Sequence, residues 1–122
     1  MKGKNKPNLI TWGCRIRKYW IANLFPVYND QSQEWEWSQF PLFPDDGDYY
    51  GNLVSQLVKS KYDKNRMEAI INNYLDDPDN EEHNSEFKEM QNWRKECKKI
   101  ARECVTKIKE IEDGENQLPV WF

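Results

Sequence analysis

Residues 85–112 carry one apolar stripe. Phe87, Met90, Cys97, Ala101, Cys104, Ile108 and Ile111 recur at spacings of three, four or seven, which places them on one face of a 3.6-residue helix. Such a face must be buried. At ~1.5 Å per residue these 28 positions extend over roughly 42 Å, more than the width of a compact domain of this length. The stripe therefore predicts pairing with a second chain as well as with the chain's own elements. Arg94 occupies an apolar phase and is expected to reach an acid or to snorkel at the stripe's edge.

The segments before it are read against that helix. Residues 1–7, MKGKNKP, are basic and unpatterned, the profile of a flexible tail, and residues 8–122 form a single domain. From Asn8 or Thr11, the apolar positions Trp12, Ile16, Tyr19, Trp20 and Leu24 repeat at helical spacing until Pro26 stops them, which predicts a first helix weakened by Gly13. A β-hairpin is expected next. Residues 25–28 and 34–37 are β-prone and flank the polar turn Asn-Asp-Gln-Ser-Gln, and Trp35 and Trp37 share one face that a helix should cover. Leu53, Val54, Leu57 and Val58 predict a second helix from Asp48 or Asn52 to about Lys61. Asp63 is a good cap for a third, in which Met67, Ile70, Ile71, Tyr74 and Leu75 fit the helical template before Asp76, Asp77 and Pro78 end it. The long helix stops at Asp113 and Gly114. The apolar tail 118–122 is expected to fold back onto the Trp-rich hairpin or the first helix. The expected fold is a small, mainly α domain with one β-hairpin after the first helix and a long C-terminal amphipathic helix.

Composition decides that the chain folds. Its charged content is 32%, but six Trp and six Tyr in 122 residues supply an aromatic core that disordered chains lack. Charge lies in blocks. The first 29 residues carry six cations and no acid, and residues 30–50 answer with six acids and no cation. Blocks of this kind pair within a fold or across a dimer. Three cysteines, an odd number, argue against a secreted disulfide framework. Cys97 and Cys104 stand ~10.5 Å apart along a helix, too far to bridge, and are expected as buried thiols. No apolar run is long enough for a signal-peptide core or approaches the ~18 residues of a membrane span, so a cytoplasmic protein without a membrane partner is expected.

Catalytic constellations are absent from the pattern. The single histidine, His83, lies in an acidic stretch, and neither a Gly-rich phosphate loop nor a nucleophile elbow occurs. Asp76 and Asp77 do not open a calcium loop, since the required glycine and twelfth-position acid are missing, and Cys97, Cys104 and His83 do not have zinc-site spacing. No enzyme activity, cofactor or metal is expected. The function expected is that of a small interaction or assembly protein that self-associates through its long helix. Its contact residues would be Phe87, Met90, Trp93, Ile100, Ile108 and Ile111, with Trp121 and Phe122 of the tail. The alternative is a DNA-binding accessory protein. That reading uses either Arg15, Arg17 and Lys18 interleaved with Trp12, Tyr19 and Trp20, or Lys59, Lys61, Lys64 and Arg66 around the turn between the second and third helices.

Overall fold

The computed structural model describes residues 1–14, 19–44 and 47–116, with the backbone alone at Cys14, Glu115 and Asn116. Four strands come first: β1 (Lys2–Gly3), β2 (Ile10–Cys14), β3 (Tyr19–Asn29) and β4 (Glu34–Leu42). Three helices follow: α1 (Tyr49–Lys61), α2 (Lys64–Asp76) and α3 (Glu81–Asn116). All strand pairs are antiparallel, in the order β1-β4-β3-β2.

This corrects the expected mainly α class. The predicted first helix does not form; its residues supply β2 and the first half of β3, paired as Ile10 with Ala22 and Trp12 with Trp20. The helical spacing of Trp12, Trp20 and Leu24 coexists with a period of two, and Trp20, Ala22 and Leu24 are the buried set. Aromatic and β-branched residues fit a pleated surface better than a helix. Gly13 suits the strand, because a Cβ there would run into the Tyr19 ring. The hairpin is present but longer than expected. Within its turn the Asn29 side chain accepts from the Gln31 and Ser32 amides at 3.0 and 3.3 Å, and Gln33 takes φ +55°. Residues 2 and 3, read as part of a tail, pair with Glu36 and Trp35.

The two sheet faces differ. Trp20, Ala22, Leu24 and Leu42 meet Leu53 and Leu57 of α1 and Cys97, Ala101, Cys104 and Ile108 of α3 in one core. Trp35 and Trp37 do share a face, as expected, but it is the face away from the helices. There the Lys6 ammonium lies 5.8 Å from the Trp35 ring centre, and Gly3 leaves room for Trp37. That face is held by Asn23, buried although polar. Its amide nitrogen donates to the Asn8 carbonyl (2.9 Å) and the Thr11 hydroxyl (3.0 Å), while its oxygen accepts from Trp37 Nε1 (3.0 Å) and Gln39 (3.4 Å). Three strands are stitched through one side chain.

The helices follow the predicted stripes. Asp48 caps α1 by accepting from the Gly51 amide, and Asp63 caps α2 by accepting from Arg66 at 2.7 Å. α3 starts earlier and ends later than expected, running through Gly114. α2 packs on the first part of α3 in a second, smaller cluster of Tyr62, Ile70 and Met90. Among the described residues no helix is long and apolar enough to cross a membrane. Replacing Asn23 with Ala strands the Trp37 indole and the Asn8 carbonyl without partners. It should cost about 1–3 kcal/mol in a urea unfolding curve, whereas Gln39→Ala, which removes only the longest of the four bonds, should cost less.

Candidate functional site

Most of the residues expected to bind a partner are engaged within the chain. Met90 and Ile108 are buried, and Ile100 and Ile111 pack against the main core. Phe87 stacks on Tyr74, with ring centres 4.1 Å apart and planes 6° from parallel. Trp93 touches both clusters and donates its indole N–H to the Leu57 carbonyl at 3.2 Å. Arg94 is half-buried at the stripe's edge and makes no ion pair among the described residues. Trp121 and Phe122, with the rest of tail 118–122, lie outside the described residues.

The two basic candidates fare differently. Arg15, Arg17 and Lys18 lie outside the described residues, but their aromatic companions do not. Trp12 and Trp20 stack on each other at 3.7 Å, and Trp20 is only 2% exposed, so Trp20 offers no platform for a base and one face of Trp12 is covered. Lys59, Lys61, Lys64 and Arg66 are all exposed around the α1–α2 turn. Lys61 lies 5.1 Å from the Trp93 ring centre and 5.8 Å from that of Tyr62, and Arg66 lies 5.0 Å from Tyr62. These two cations close the edge of the smaller cluster.

An unpredicted apolar surface stands at the middle of the hairpin. The β3–β4 register shifts between Leu24 and Val27, so β3 holds an extra residue there and Phe25 is forced to φ +57°. That left-handed backbone is rare for a bulky side chain and costs roughly 1–3 kcal/mol. Phe25 meets Phe40 edge-on, with ring centres 6.4 Å apart, and lies 6.1 Å from Trp93, yet remains 40% exposed. Beyond it Val27 is 63% and Tyr28 45% exposed, with Tyr28 against Trp35 at 5.4 Å. Phe25, Val27, Trp37 and Ser38 border a shallow depression beside Glu36. The signal available in the sequence was Pro26, which inside a strand marks a bulge or an edge.

No protein-family model, curated protein or solved structure matches the chain. Its chemistry is therefore read from the side chains alone. Among the described residues no three His, Cys, Asp or Glu side chains are grouped to hold a metal ion. Burial pushes the Cys97 and Cys104 thiols up to about 11, which leaves them as packing atoms rather than nucleophiles.

Thiol reagent at pH 8 should label Cys97 and Cys104 only as fast as the protein unfolds. Labelling faster than unfolding, measured by circular dichroism, would contradict their burial. Both folded values lie above the ordinary 9.0, so the stability these thiols contribute is full below pH 9 and is lost as pH rises through 11. Tyr49 acts in the same direction, raised by burial and then by the neighbouring Glu112 carboxylate. Urea midpoints should fall over that interval.

Proposed function

We propose that this is a non-catalytic assembly protein that self-associates through the bulged hairpin. The observation that carries this reading is Phe25 at φ +57°, a strained position that holds an apolar surface in water. The stripe of α3 is covered by α1, α2 and the sheet, so the reason for pairing through that stripe no longer holds.

A second copy is the favoured occupant because the hairpin end carries both signs of charge. Lys2 pairs with Glu36 at 3.5 Å, while Lys4, Lys6, Asp30 and Glu34 make no ion pair among the described residues. A two-fold arrangement sets the lysines of one copy near the acids of the other around the apolar centre. A stable interface needs roughly 1,000 Å² or more, so the contact would wrap the free edge of β3, from Phe25 and Val27 on the helix side of the sheet to Tyr28, Trp35 and Trp37 on its other face.

Light scattering at ~100 μM, above the Kd of most specific interfaces, should give the mass of a dimer. Val27→Lys should return a monomer whose melting temperature no longer depends on protein concentration and matches that of the parent at high dilution, since Val27 is already mostly in solvent. A monomeric parent protein, or a dimer indifferent to Val27→Lys, would overturn the reading.

A further inference from the structure

The solvent face of α3 carries a charge repeat that packing does not require. Lys88, Lys95, Arg102 and Lys109 recur every seven residues, and each is followed by an acid: Glu89, Glu96, Glu103 and Glu110. All eight are exposed, and they form two neighbouring ridges, one of each sign. Lys98 and Lys99 join the basic ridge, so that Lys95, Lys98, Lys99 and Arg102 lie within ~100° of the helix circumference over ~10.5 Å of its length. Residues 88–110 hold eight cations and four acids, a net +4 in a chain of net −3. Among the described residues the only ion pair on α3 joins Lys107 to Glu110, at 3.7 Å.

Magnitudes select what this ridge can hold. A second α3 laid in parallel would match each basic ridge to an acidic one. Exposed ion pairs contribute only ~0.2–1 kcal/mol each and are screened by salt, while association costs ~4–15 kcal/mol, and no apolar centre lies between the ridges. An acidic protein meets the same deficit. A nucleic-acid backbone does not, because neutralising its phosphates releases condensed counterions and needs no apolar contact. We infer that Lys95, Lys98, Lys99 and Arg102 form a sequence-independent phosphate-binding face for nucleic acid. The acidic ridge at Glu96 and Glu103 confines the backbone to one flank of α3. This face lies opposite the buried stripe and is separate from the hairpin, so it does not depend on self-association.

Fluorescence anisotropy of a labelled duplex of ~20 base pairs should show binding below ~100 μM protein at ~50 mM salt, weakening on the order of 100-fold by ~200 mM if four phosphates are contacted. Changing Lys95, Lys98, Lys99 and Arg102 together to Gln, a residue of similar helix propensity, should abolish binding while circular dichroism shows the same melt. Changing Lys59 and Lys64 to Gln should leave it intact. No binding at low salt, binding that survives the fourfold change, loss on altering Lys59 and Lys64, or equal competition by polyglutamate would each overturn the inference.

Discussion

Everything else in the molecule is arranged around the middle of α3, where Cys97, Ala101 and Cys104 are small and wholly buried. Small side chains at successive turns let α1 and the sheet approach the helix axis closely. The bulkier Met90 and Trp93 on one side and Ile108 and Ile111 on the other fill the wider space towards the ends. A larger residue at position 101 would push α1 off the sheet, so this contact sets where both clusters sit. It also accounts for cysteine at these positions: the buried thiol serves as a small apolar group.

On the other side of the sheet, order comes from a polar centre. Asn23 uses its amide fully, as two donors and one oxygen accepting twice, so a buried polar side chain holds strand register where few apolar contacts exist. The bulge lies two residues beyond it. Register is held on one side of that point by Asn23 and on the other by the Tyr28–Trp35 contact, so the irregularity is confined to Phe25 and Pro26.

The helices were legible because their stripes are local. Leu53, Leu57 and Val58, then Ile70, then Met90 to Ile108, are buried where periodicity places them, although Leu75, which also fits the template, is 67% exposed. The start of the chain was not legible. Trp12, Trp20 and Leu24 satisfy both periods, and the choice between them rests on Leu42 and Phe40, some twenty residues away, which pair with Trp20 and Ala22. The hairpin surface was hidden for the same reason: Pro26 reads as a helix stop until a strand is known to pass through it. The charged face of α3 was in plain view as sequence, but only the placement of the buried stripe shows that Lys95, Lys98, Lys99 and Arg102 stand together on the opposite side.

The division of the interior into two clusters has a dynamic consequence. α2 joins the body mainly through α3 and the turn at Tyr62 and Asp63, with its own cluster of Tyr62, Ile70 and Met90, and reaches the larger core through Met67. It is capped at its start by one carboxylate, and neither its first nor its last turn carries a side-chain charge that complements the helix dipole. Detaching α2 would uncover Tyr62, Met90, Phe87 and part of Trp93, along with its own Met67, Ile70, Ile71 and Tyr74, and would leave most of the larger core between the sheet, α1 and α3 in place. α2 and the first turns of α3 should therefore open before the rest, their amides exchanging with solvent through partial opening while those of β3 and the centre of α3 wait for global unfolding.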